Sequence, residues 1–142
     1  MEETPPRISV EQSGRALLDE QGLWPITWRI HNLEKEPMTI RAAQLPHGQF
    51  KGEQRTFEKG LTVGARDSTF LKCSVICQGA SGSVVDNVFL ILHVDWRQSA
   101  WRIFVRLQVV FDKKVEPRTK IELITTQRAG FSRAQAPASC DE

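Results

Sequence analysis

Three histidines, two closely spaced cysteines and one glycine–serine segment are the residues of this chain that could do more than pack. They are His31, His47, His93, Cys73, Cys77 and residues 79–83, GASGS. Nucleophilic catalysis needs a serine or cysteine within hydrogen-bond reach of a histidine that a carboxylate orients, and no spacing here implies such a set. The GASGS segment has Ser83 where a nucleophile elbow would have its closing glycine, and it lies between two expected strands rather than between a strand and a helix. It reads as a flexible loop. Cys73 and Cys77 stand four apart in one expected strand, about 13 Å from each other at strand rise. That is beyond the roughly 7 Å limit for a disulfide and too far to share one ion. Buried thiols behave as small hydrophobes, so both are expected in the core. Dinucleotide, Walker and EF-hand patterns are absent. The expectation is a chain with no catalytic residue, no metal and no cofactor, and so not an enzyme.

A second set points to recognition. In the segment from 88 to 111, Val88, Leu90, Leu92, Val94 and Trp96 alternate with Phe89, Ile91, His93 and Asp95. Trp101, Ile103, Val105, Leu107, Val109 and Phe111 alternate with Arg102, Phe104, Arg106 and Gln108. If the first rows look inward, the second form one outer surface. A four-residue connection from Arg97 to Ala100 sets Trp96 against Trp101, Val94 against Ile103, Leu92 against Val105, Leu90 against Leu107 and Val88 against Val109. The outer pairs are then Asp95 with Arg102, His93 with Phe104, Ile91 with Arg106 and Phe89 with Gln108. Asp95 and Arg102 suit an ion pair, and Arg41 joins the surface if its strand neighbours the hairpin. Arginine among aromatic and aliphatic side chains is the composition of an interface centre. Phe89, Ile91, His93, Arg102, Phe104, Arg106 and Arg41 are therefore the expected partner-binding residues, for a protein partner or a second copy. The competing expectation is that a tail or the 48–66 connection covers this surface within one molecule. Loops at 46–48 and 79–83 offer a small-ligand alternative. A basic-aromatic sheet face can also take single-stranded nucleic acid, but the formal net charge is only +2, which argues against it.

The elements that must hold these residues are strands. Period-two alternation recurs at Ile8 and Val10, at Trp24 to Ile30, at Met38 to Ala42, at Leu71 to Cys77, through the hairpin, and at 120–126. In the last of these, Ile121 and Leu123 are expected on one face and Ile124 on the other. Pro25 places the start of its strand near Ile26. Residues 15–21 suit either a helical turn or a short strand. Residues 46–66 hold only Phe50, Phe57, Leu61 and Val63 as apolar anchors and read as a long connection with at most one short strand. Trp28, Trp96 and Trp101 fall on inward rows, so core packing accounts for them better than a stacking platform.

Seven or eight short strands without a long helix give an all-β fold, a two-sheet antiparallel sandwich. At 142 residues, 40% apolar and 25% charged, the chain suits one domain spanning residues 7–131. Loose ends are expected at 1–6 and at 132–142, where Cys140 falls. No apolar run is long enough for a bilayer, the N-terminus has no secretory pattern, and reduced thiols suit a cytoplasmic location.

The layout resembles the immunoglobulin and fibronectin type III superfold. The resemblance rests on a tryptophan-bearing early strand (ITWRIHN), a turn (NLEKEP), a strand (MTIRAAQL) and a long late hairpin (VFLILHVDWRQSAWRIFVRLQVVF), and it spans roughly residues 7–127. The early strand carries no cysteine and the chain no tyrosine, so the inter-sheet disulfide and tyrosine corner of antibody domains are missing. The resemblance implies a generic immunoglobulin-like adaptor or accessory domain.

Overall fold

The computed structural model describes residues 4–77 and 79–129. Residues 1–3 and 130–142, and with them the expected C-terminal tail and Cys140, lie outside the described residues. Eight strands follow in order: β1 (Ile8–Gln12), β2 (Trp24–Asn32), β3 (Met38–His47), β4 (Phe50–Val63), β5 (Ser68–Cys77), β6 (Val84–Trp96), β7 (Ser99–Phe111) and β8 (Pro117–Arg128). Among the described residues there is no helix, and hence none long and apolar enough to cross a membrane.

All pairings are antiparallel, in the order β1-β2-β5-β4-β3-β6-β7-β8. The expectation of an all-β antiparallel fold of seven or eight strands holds, with eight. The expected division into two separate sheets does not, because β4 joins the halves. It pairs with β3 at both of its ends, and with β5 only through Phe50, Lys51 and Gly52. Gly52 makes the corner possible: a Cβ there would sit 3.2 Å from the Ser74 carbonyl oxygen and from Leu45 Cδ1. At the other side the free edges meet. Gln12 Oε1 accepts from the Thr119 N–H at 2.7 Å and hydroxyl at 2.8 Å, and Trp28 Nε1 donates to Thr119 Oγ1 at 3.0 Å. The sheet is thus a nearly closed barrel.

The inward rows fill it. Ile26, Trp28 and Ile30 of β2 and every inward residue expected on β6 and β7 are buried, with Trp28 edge-on to Phe50 at 6.4 Å. Pro25 is accommodated inside β2 rather than before it. Thr27 turns its carbonyl to the β1 side, so Pro25, two residues earlier, directs its missing N–H to that same side. There β1 has already ended, so no ladder bond is lost.

Four local expectations need correction. Residues 50–63 form a 14-residue strand rather than a connection; two register shifts against β3 break its period. Residues 15–21 are neither helix nor strand, and Asp19 Oδ1 ties a turn by accepting from the Gln21 and Leu23 amides. The β6–β7 turn has two central residues, not four: Arg97 (φ 51°) and Gln98 (φ 64°) are both left-handed, as a type I′ turn requires. Trp96 therefore faces Ser99, Val94 faces Trp101 and Leu90 faces Val105. The register moves by two residues, so the inward and outward rows keep their identity. In β8, a shift opposite Arg106 and Leu107 reverses parity: Ile121 and Ile124 pack on the core while Leu123 is 49% exposed.

Candidate interaction surface

Residues of β3, β6, β7 and β8 whose side chains leave the core share one outer surface, and all seven expected partner-binding residues lie on it. Across the sheet, Ile91 faces Phe104, Phe89 faces Arg106 and His93 faces Arg102. On the far side of β7, Arg102 faces Gln127, Phe104 faces Thr125 and Arg106 faces Leu123. The two-residue register change that the tight turn imposes produces these partners in place of the expected ones. Phe89 and Phe104 meet edge to face at 6.5 Å and 86°. Phe89, Ile91 and Phe104 are half-buried, so they form one apolar strip with Leu123 at its margin.

The polar groups around the strip fall into two kinds. At one end, Arg41 Nε donates to Asp95 Oδ2 at 2.7 Å and His93 Nε2 lies 3.0 Å from Gln44 Oε1. Asp95 thus pairs with Arg41 and not with Arg102, because the tight turn sets Ala100 opposite Asp95. On β7, the middle strand of this surface, Arg102 forms no ion pair among the described residues, and Arg106 Nε stands 3.7 Å from Glu122 Oε1. The Nε atoms of both arginines are shielded from water without a hydrogen-bond partner. A shielded N–H without an acceptor costs roughly 1–3 kcal/mol. Both side chains are half-exposed, so a rotation brings either guanidinium to an incoming carbonyl or carboxylate.

No protein-family model, curated protein or solved structure matches the chain. The functional reading therefore rests on the side chains themselves.

The expected cover by the 48–66 connection does not form, since β4 takes its place within the sheet beside β3. The two loops considered for a small ligand are committed to turns. His47 Nδ1 accepts from the Gln49 amide at 3.1 Å. In the 79–83 segment Ser83 Oγ donates to the Ala80 carbonyl at 2.7 Å, and the Gly82 amide donates to the Phe111 carbonyl at 2.8 Å. A Cβ at Gly79 would overlap the Phe111 ring. Cys73 is buried and Cys77 partly so, and neither is in a disulfide. Burial pushes both thiols up to about 11, so they are poor nucleophiles near neutral pH. Among the described residues no group of three or more His, Cys, Asp or Glu could hold a metal ion.

Sequence reasoning missed Leu123, because a strand bulge reverses parity without a sequence mark. It also missed Phe70 and Ile76, which are 60% and 56% exposed on the outer side of β5. Their outward parity follows from the inward row Leu71, Cys73 and Val75.

Proposed function

We propose that this chain is a non-catalytic interaction module that docks a protein partner on the outer surface of β6, β7 and β8. The observation that carries the reading is the strip of Phe89, Ile91, Phe104 and Leu123 in register with Arg102 and Arg106, whose Nε groups lack acceptors. Burying the strip supplies the driving force. Arginine supplies direction, since its fork bonds carboxylates in fixed geometry and more strongly than neutral acceptors do. Two central arginines facing one nearby carboxylate, Glu122, favour a partner that brings carboxylates of its own. A second copy would bring two more arginines instead. Free thiols at Cys73 and Cys77 suit a reducing compartment such as the cytoplasm.

The test is a paired substitution, Ile91→Glu with Phe104→Glu, against the control Thr27→Glu on the opposite side of the barrel. Affinity capture followed by mass spectrometry should lose the same partner from the double variant and keep it with the control, while thermal melting shows both variants folded. Equal retention by all three proteins would remove this surface from consideration. Light scattering that shows a dimer broken by the double variant would assign the surface to self-association.

A further inference from the structure

The three strands β1, β2 and β5 stand against five in the rest of the sheet, and β5 is left with an open edge. Main-chain groups of successive strand residues point to alternate edges. Asp67 gives its carbonyl to Asn32 of β2, and Thr69, Leu71 and Cys73 face Ile30, Trp28 and Ile26 of β2. Ser68, Phe70 and Lys72 must then point the other way, toward β4. But β4 has left β5 after Gly52. The Ser68 amide is closed by Asp67 Oδ1 at 2.8 Å, and the Lys72 carbonyl accepts from Arg55 Nη1, which reaches over from β4. The β4–β5 ladder does not reach the N–H and C=O of Phe70 or the N–H of Lys72.

The surroundings suit an occupant. Where β4 parts from β5 an open cleft of about 460 Å³ is lined by Leu23, Ile76, Lys51, Glu53 and Arg55 among others. Phe70 lies on the other side of Lys72, on the same outer face and strongly exposed. The charge is uneven, with the cations of Lys51, Arg55 and Lys72 against the carboxylates of Glu53 and of Asp67, the latter already holding the Ser68 amide. Exposed apolar side chains beside unpaired strand groups are a template for strand addition.

We propose that the open edge of β5 binds an extended segment of a partner as an added antiparallel strand, with apolar side chains toward the core and carboxylates outward against Lys72. The incoming backbone takes the free groups of Phe70 and Lys72 and displaces Arg55 from the Lys72 carbonyl. The released guanidinium then pairs with a carboxylate of the segment. A second copy of β5 is the poorer occupant, because it adds another Lys51, Arg55 and Lys72 to the same seam. This site is separate from the β6–β7–β8 surface and does not depend on it.

The experiment is residue-resolved amide exchange on the full chain with a capped peptide of about seven residues alternating valine and aspartate, and with its valine–lysine counterpart. In the free protein the Phe70 and Lys72 amides should exchange far faster than those of Leu71 and Cys73. The acidic peptide should slow the first two by roughly tenfold or more and the basic peptide should leave them unchanged. With Lys72→Glu and Arg55→Glu together, the preference should reverse. Slow exchange at Phe70 and Lys72 in the free protein, no effect of the acidic peptide, equal effects of both peptides, or protection that grows with protein concentration alone would each overturn the proposal. The Ile91→Glu, Phe104→Glu variant should bind the acidic peptide unchanged, which separates this site from the outer-surface reading.

Discussion

Asn32 has no access to solvent, and its amide does the work of a missing strand partner. Its Nδ2 donates to the carbonyls of Glu36 at 2.9 Å and of Val63 and Gly64 at 3.1 Å, while Oδ1 accepts from the Glu34 amide at 2.8 Å. Replacing it with alanine leaves these groups unpaired, so Asn32→Ala should destabilise by about 2–3 kcal/mol, read as a lower denaturation midpoint at unchanged slope. Asn32→Asp should cost more, because a carboxylate would face three carbonyl oxygens. At Cys73 and Cys77 burial raises the thiol from its ordinary 9.0 to about 11. The folded state therefore holds protons that the unfolded chain gives up between those values. The thiols' contribution to stability is intact below the unfolded value and fades as pH climbs toward the folded one. Denaturant midpoints on either side of that window should fall less steeply for Cys73→Val with Cys77→Val than for the native chain. Equal slopes would show that the thiols are not the source.

At the level of elements, the hairpin shows what alternation can and cannot specify. Its inward rows were legible because period two is enforced by burial on one side, and burial distinguishes a row from its neighbour but not a shift of two. That shift is set by the turn. Arg97 and Gln98 adopt left-handed backbone without the Asn-Gly signature that marks such turns. Arg97 is held there by its ion pair with Glu36 at 3.0 Å and by its place 5.0 Å from the centre of the Trp96 ring. Gln98→Gly should therefore stabilise the protein by roughly 0.5–1 kcal/mol, since it removes left-handed strain at a position where glycine is at ease. Gln98→Val should destabilise it, both read by thermal melting. The β4 strand was hidden for a related reason: its bulges against β3 scatter Phe50, Phe57, Leu61 and Val63 off any single period. Leu123 was misassigned because one extra residue in β8 moves it across the sheet.

For the whole molecule, closure matters more than any one strand. The β4 corner joins the two halves on one side, and Gln12 with Thr119 holds the edges together on the other. Gln12→Ala removes the acceptor of both Thr119 bonds. It should open the seam between β1 and β8, seen as faster exchange of the Thr119 amide with little change at Leu90 or Val105 in the core. The closed interior consumes the apolar rows and leaves the outer surfaces to decide function. The most direct measurement is photo-crosslinking in the protein's native cells from a reactive side chain placed at position 123, compared with one at Glu11 on the outer side of β1. One discrete protein adduct is expected from position 123, abolished by Ile91→Glu with Phe104→Glu, and none from Glu11. An adduct from Glu11 alone, or one from position 123 that survives the double substitution, would contradict the outer-surface reading.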